Sequence, residues 1–219
     1  MKVVIQCASR KDPAAKTFLA GDGRRVVFVA HPDLVPRAAN SIHARPDGPS
    51  GGGRSWRERL VAYNKAPAAN PLGFLPAYRL YANDTYVALV ERFGEKDVYI
   101  LSAGWGLVPA AFLTPYYDIT FSASADPWKR RRRDDSYEDF RFIPDDGDQV
   151  VFLGGKGYLP LFCSLTAALK GAKTVFFNSA ERPDLPEGFT PARYRTTTRT
   201  NWHYECARTL AAGRLNDLR

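Results

Sequence analysis

Short apolar runs alternate with amphipathic stretches along most of the chain. Lys2 to Cys7 is apolar and β-branched over Val3–Ile5, which predicts a first strand placed inside a sheet. Arg25–Ala30, Val98–Ser102, Gln149–Leu153 and Thr174–Phe177 are further runs of strand length. Arg193–Arg199, where Tyr and Thr alternate with arginine, predicts a last one. Between these runs the spacing turns helical. Ser55 with Glu58 three residues later forms a capping-box pattern, and Trp56, Leu60, Val61 and Asn64 come after it at helical intervals. Helices are also predicted over Pro71–Tyr81, Asp84–Phe93, Leu159–Leu169 and Trp202–Ala212. Gly94 suits a left-handed C-terminal cap, and Pro160 is tolerated in a first helical turn.

Strands that alternate with helices imply βαβ units. The expectation is one α/β domain over residues 1–219, with a mostly parallel central sheet flanked by helices and no internal repeat. Two stretches break the pattern. His31 to Gly53 is rich in Pro, Gly, Ser and Arg and predicts a long loop or flap. Asp126 to Gly147 is highly charged and predicts a basic, solvated excursion.

The composition, 45% hydrophobic and 25% charged, is that of a globular chain. No apolar run approaches the roughly 18 residues a membrane span needs. Met1–Cys7 is too short for a secretory signal, and polar residues succeed it at once. The cysteines, Cys7, Cys163 and Cys206, are odd in number and far apart, which predicts reduced thiols in a cytoplasmic protein. The net charge of +8 favours a polyanionic partner. His31, His43 and His203 are scattered, so no metal is expected, and no Gly-x-Gly-x-x-Gly follows a strand, so no dinucleotide or other cofactor is expected.

The polar motifs fall just after strands, where open α/β sheets gather ligands. Ser102-Ala103-Gly104-Trp105-Gly106 is followed by Pro115-Tyr116-Tyr117-Asp118. The glycines allow a sharp turn, the aromatic rings of Trp105, Tyr116 and Tyr117 are faces on which a base stacks, and Asp118 is a single carboxylate among them. The bland alternative is a tight turn whose aromatics fill the core. Gly154-Gly155-Lys156-Gly157 opens a helix and offers backbone N–H groups to an anion, without P-loop spacing; an ordinary turn explains it equally well. In Arg199-Thr200-Asn201-Trp202-His203-Tyr204, Asn201 is a natural helix cap and His203 a group able to bind phosphate or move a proton. Ser9 and Lys11, after the first strand, suit phosphate; nothing in sequence gives Cys7 a dedicated base. The run Lys129–Arg133, including Arg131, is either a solvated loop or a track for a phosphate backbone.

Residues Ile100-Leu101-Ser102-Ala103-Gly104-Trp105-Gly106-Leu107, with Pro115-Tyr116-Tyr117-Asp118, resemble the signature of bacterial YaaA-like proteins. The opening strand with Cys7, Ser9 and Lys11 and the later strand with Gly154-Gly155 fit the same family. The likeness covers about 25 residues well; residues 31–53, the arginine run and the closing Thr-Asn-Trp-His-Tyr-Glu lie outside it. The resemblance implies a fold related to uracil-DNA-glycosylase-like proteins and DNA as partner. The wider group includes a phage-defence glycosylase that removes a glucosylated, hydroxymethylated cytosine from viral DNA.

The leading expectation is therefore a DNA glycosylase that flips out and excises a modified base, such as those of phage DNA. Chemistry assigns Asp118 as base and cation stabiliser, with Asn201 and His203 as further catalytic candidates that, with Asn178, bond the polar edge of the flipped base or stabilise the leaving group. Ser102, Gly104, Trp105, Tyr116 and Tyr117 would enclose that base, and Ser9, Lys11, Arg131, Gly155, Lys156 and Arg199 would hold phosphates. A lysine Schiff-base route is disfavoured because no lysine stands in an evidently apolar stretch. Two alternatives stay open: a YaaA-like protein that binds DNA without chemistry, and an N-glycosidase of free nucleosides or nucleotides.

Overall fold

The computed structural model describes residues 1–36, 40–198 and 200–215. Its elements in chain order are β1 (Lys2–Gln6), β2 (Arg25–Phe28), β3 (Ser41–Ala44), α1 (Trp56–Tyr63), β4 (Leu75–Pro76), α2 (Ala77–Leu80), α3 (Thr85–Phe93), β5 (Val98–Ser102), β6 (Gly106–Pro109), β7 (Leu113–Thr114), β8 (Phe140–Arg141), β9 (Val150–Leu153), α4 (Leu159–Thr166), β10 (Lys173–Phe177), β11 (Phe189–Arg193) and α5 (Trp202–Ala211). The main sheet has seven strands in the order β11-β10-β9-β1-β5-β6-β8. Every pairing in it is parallel except β5 with β6, so the fold is α/β with a mostly parallel sheet. The apolar runs of β1, β5 and β9 are buried because they lie inside that sheet, with neighbours on both edges. Helices α3 and α5 pack on each other, α5 also meets β9, and α4 meets β6. Among the described residues no helix is long and apolar enough to cross a membrane.

Most elements form where periodicity places them. The capping box at Ser55 is complete, with the Ser55 side chain accepting from Glu58 N and the Glu58 carboxylate accepting from Ser55 N. Gly94 ends α3 at φ +83°, and Pro160 sits in the first turn of α4. Three expectations are corrected. The helix predicted over Pro71–Tyr81 shrinks to α2, because Leu75–Pro76 pairs antiparallel with β7 and Pro76 cannot donate within a helix. The last strand is β11, which takes Phe189–Arg193 alongside β10, and Tyr194–Thr198 lies beyond it. Asn201 does not cap α5 with its side chain; it stands in left-handed backbone at φ +61°.

The two irregular stretches are less free than their composition predicts. Ser41–Ala44 pairs in parallel with β2, so the 31–53 segment is tied to its neighbour by a strand. In the 126–147 segment, Arg131, Phe140 and Ile143 are buried, and Phe140–Arg141 adds the edge strand β8 to the main sheet. Arginine enters the interior here because it is paired. The Arg131 guanidinium donates to both oxygens of Asp139, at 2.9 and 2.5 Å, and to the carbonyl of Ala103 at 2.9 Å. Arg57, on α1, donates to the carbonyls of Gly104 and Trp105 at 2.8 and 3.0 Å and pairs with Asp47. Two buried guanidiniums thus hold the three consecutive carbonyls of the turn between β5 and β6.

That turn also needs its glycines. Gly106 has φ +86°, and a Cβ there would lie 2.6 Å from both the nitrogen and the oxygen of Phe140. A Cβ on Gly104 would lie 3.1 Å from the Tyr117 ring.

Removing Arg57 takes the arginine partner from Asp47 and from the Gly104 carbonyl, and one of two donors from the Trp105 carbonyl. Arg57→Met is expected to lower unfolding free energy by about 3–5 kcal/mol in urea titrations. Arg132→Met, in the exposed part of the arginine run, is expected to change it by no more than about 0.5 kcal/mol. Equal effects of the two substitutions would contradict the clamp.

Candidate functional site at the switch point of the sheet

Strand β1 marks the point where the sheet reverses its growth. The chain leaves β1 toward β5 on one side, while β9 passes through α4 to β10 on the other. In open sheets a crevice opens at such a point, beyond the carboxyl ends of the two strands. Here those ends carry Gln6-Cys7 and Gly154-Gly155. Gly155 N donates to Gln6 Oε1 at 2.6 Å, and Cys7 Sγ lies 3.1 Å from the Tyr158 hydroxyl. From the β5 side, Ala103 N donates to Cys7 Sγ at 3.4 Å. Segments near 7, 103 and 155–158, far apart in sequence, therefore meet at one sulfur.

A layer of tyrosines lies around this meeting point. The Tyr81 and Tyr117 hydroxyls are 2.8 Å apart. Tyr86 donates to the Gln6 carbonyl at 2.8 Å and lies 3.3 Å from the Tyr204 hydroxyl, which brings α5 into the same group. Burial raises the pKa of Tyr81, Tyr86, Tyr117 and Tyr158 well above the usual phenol value, so all four are neutral hydrogen-bonding groups. Lys11 lies beside them, 9% exposed, with Nζ 4.2 Å from the centre of the Tyr117 ring and 3.3 Å from the Ser9 carbonyl. Burial lowers its pKa, an effect that the nearby Cys7 and Asp118 oppose.

A cavity of about 890 Å³ borders the crevice on the β9–β10 side. Gly154, Gly155 and Lys156 form one wall, Asn178 and Trp202 another, and α4 contributes Leu159 and Cys163. Arg133, Arg182 and Lys156, all exposed, line it as well. The lining is mostly apolar, with Glu181 and Asp184 beside the three cations, and its volume falls in the range of small-molecule sites.

The structure distributes the sequence-predicted residues among three settings. Gly155, Lys156 and Asn178 line the cavity, and Trp202 beside Asn201 joins them. Asn178 is half-buried and donates to the Thr198 carbonyl at 3.4 Å; Asn201 is exposed. His203 is buried next to the Tyr204 ring, 4.1 Å between centroids, and its Nε2 has no partner among the described residues. Burial pushes its pKa down to about 4, so its ring is neutral near pH 7.

A second set is structural in its contacts. Trp105 is fully enclosed, stacked on Phe140 and edge-on to Phe28, and presents no open face to a base. Tyr117 is equally enclosed. Ser102 is buried and its Oγ accepts from the N–H groups of Gly104 and Trp105, which fixes the turn. Gly104 gives its carbonyl to Arg57. Arg131 is committed to Asp139 and Ala103 and lies 3.8 Å from the Tyr137 ring, so it offers no free charge to phosphate.

The third set is at the surface. Asp118 is about a third exposed (32%) and pairs with Lys129 at 3.2 Å, while its backbone N donates to the Phe28 carbonyl. Tyr116 beside it is half-buried, and Ser9 is exposed. Arg199 lies outside the described residues. Sequence reasoning gave no site role to Arg57, Tyr81, Tyr86 or Gln6, although Gln6 opens the motif after β1 and Arg57 lies within the Ser55–Glu58 capping box. Only the tertiary fold brings their polar atoms to the turn or the crevice.

Comparison with known proteins finds no matching family model, no matching curated protein and no matching solved structure.

The neutral His203 has a consequence for stability. Its folded pKa lies below the ordinary 6.5, so between the two values the unfolded chain binds more protons. The stabilisation is complete above pH 6.5 and is lost progressively as pH falls toward 4. Relative to His203→Gln, the wild-type chain is expected to lose roughly 3 kcal/mol of unfolding free energy over that window. Parallel pH dependence of the two chains in urea titrations would contradict this.

Proposed function

We propose that the chain is a DNA N-glycosylase that extrudes a modified base, holds it in the cavity beside the switch point and releases it to leave an abasic site. The observation that carries this reading is that cavity. It lies where α/β sheets bind ligands, it is bounded by a glycine-rich strand-to-helix turn and a tryptophan, and exposed cations are among its lining residues. Trp202, 7% exposed and stacked on Tyr194 but lining the cavity, is the ring against which a base packs, and Asn178 supplies an amide for its polar edge. Gly155, Lys156, Arg133 and Arg182 attract the flanking phosphates, consistent with the net charge of +8. The resemblance of residues 98–118 to YaaA-like proteins supports the same reading, with phage DNA carrying glucosylated hydroxymethylcytosine as the first substrate to test.

Departure of the base leaves positive charge on the sugar, and a carboxylate that lowers the energy of that charge also directs water to the anomeric carbon. Asp118 is the carboxylate assigned this role. It is near enough to Lys11 to oppose the lowering of that group's pKa but does not line the cavity, and its ion pair with Lys129 must loosen for it to engage a substrate. The enclosure of Trp105 and Tyr117 moves the base-stacking role from the sequence-predicted aromatics to Trp202.

A second reading has its own support. Because Asp118 is already paired and the predicted aromatic sandwich is part of the core, the chain also fits a module that holds DNA without cleaving it.

Mass spectrometry of bases released from genomic DNA of phages with different modifications separates the two. The glycosylase reading expects free modified base from the wild-type chain and at least about a hundredfold less from Asp118→Asn, with DNA binding retained. A fully active Asp118→Asn removes Asp118 from the mechanism. Salt-sensitive binding with no base released from any DNA favours the binding module.

A further inference from the structure

We propose that Lys11 is an imine-forming nucleophile that attacks the aldehyde of an abasic sugar, giving this site a strand-cleaving lyase activity in addition to base release. The inference rests on the glycosylase reading for its substrate, but its evidence is separate and lies in the placement of one amine.

Among the described residues the other buried or part-buried lysines are anchored. Lys2 is paired with Asp146 and Asp148, Lys129 with Asp118 and Asp126, and Lys173 donates to the Leu169 carbonyl. Lys11 differs. It is nine-tenths buried, yet no carboxylate lies within ion-pair distance of its Nζ among the described residues. Its neighbours are the face of Tyr117, the more distant ring of Tyr81 at 5.9 Å, and one backbone carbonyl. An ammonium removed from water and left without a counter-ion loses stability that the Tyr117 face only partly restores, so the Lys11 pKa moves down and the neutral amine becomes more accessible. This is the setting in which lysine serves as a nucleophile toward carbonyl carbon. The sequence conceals it, because Lys11 stands in the polar run Ser9-Arg10-Lys11-Asp12, and the aromatic surroundings come from residues 81 and 117.

The location suits the role. Lys11 follows β1 at the switch point, with Cys7 and Asp118 among its neighbours. In the proposed step the neutral amine adds to C1′ of the ring-opened abasic sugar. Water leaves, the imine nitrogen takes a proton from solvent, and a protonated imine forms. Loss of the C2′ proton to the Asp118 carboxylate then expels the 3′ phosphate as the C3′–O bond breaks. Hydrolysis of the imine returns the amine and releases the unsaturated aldehyde on the 5′ fragment. No oxidant or reductant is consumed.

The test uses the whole chain and a duplex oligonucleotide bearing one abasic site, with sodium borohydride present to reduce the imine to a stable amine. The expected result is a covalent adduct that maps to Lys11 by peptide mass spectrometry, with strand cleavage when borohydride is omitted. Lys11→Arg is expected to lose both by at least about tenfold while its thermal unfolding stays near wild type. Mapping on the wild-type chain decides the matter even if the variant folds poorly. No adduct, an adduct on another lysine such as Lys156, or undiminished trapping by a folded Lys11→Arg overturns the proposal. A parallel arm with free 2-deoxyribose 5-phosphate separates the sources of the aldehyde. Preferred trapping of the oligonucleotide supports DNA as substrate, and equal or preferred trapping of the free sugar overturns that part. The substrate carries no base at the abasic position, so failure here is distinct from failure of base release.

Discussion

The structure depends on two arginines that enter the interior to hold a turn. At the tight reversal from β5 to β6, Arg57 and Arg131 donate to the carbonyls of Ala103, Gly104 and Trp105, and the Trp105 carbonyl also accepts from Phe140 N in β8. Each guanidinium is in turn compensated by Asp47 or Asp139. Buried charge is costly unless paired and hydrogen-bonded on every side, and here the pairing is nearly complete. The result joins α1 and the 126–147 segment to the turn, with Tyr117 packed against Gly104. Everything on the β5 side of the crevice, including the Ala103 N–H that reaches Cys7, takes its position from that clamp.

On this frame the crevice has a closed floor and an open flank. The floor is a layer of neutral tyrosine hydroxyls, Cys7 and the buried Lys11 side chain. The flank is the cavity below the glycine-rich turn, with Trp202 at the start of α5 and Lys156 among its cations. Tyr158 and Gly155 link the two, since one touches Cys7 and the other is bonded to Gln6. The cavity and the floor thus share the strand-to-helix turn at residues 154–158.

The parallel core was legible in the sequence because its signal is local. Val3–Ile5, Val98–Leu101 and Val150–Leu153 are apolar throughout, as strands buried on both faces must be, and Ser55 with Glu58 is a capping box that needs only its own backbone. The positions of the motifs after strands were legible for the same reason. What the residues do there was not. Trp105, Tyr117 and Ser102 read as a ligand surface, yet their neighbours, Phe140, Phe28, Tyr81 and the turn itself, enclose them. Arg131 read as free positive charge because its partners Asp139 and Ala103 only meet it in space. Lys11 was hidden in the opposite sense, a charged residue in a polar run that the fold surrounds with aromatic rings.

The central claim is that a nucleotide extruded from DNA enters the flank of the switch point. The most direct measurement is photocrosslinking of the intact chain to an oligonucleotide with a single 4-thiothymidine, followed by mass spectrometry of the linked peptides. Crosslinks to residues 154–158, Asn178 and Trp202 are the predicted outcome. Crosslinks confined to surfaces remote from the carboxyl ends of β1 and β9, with none in those segments, would contradict it.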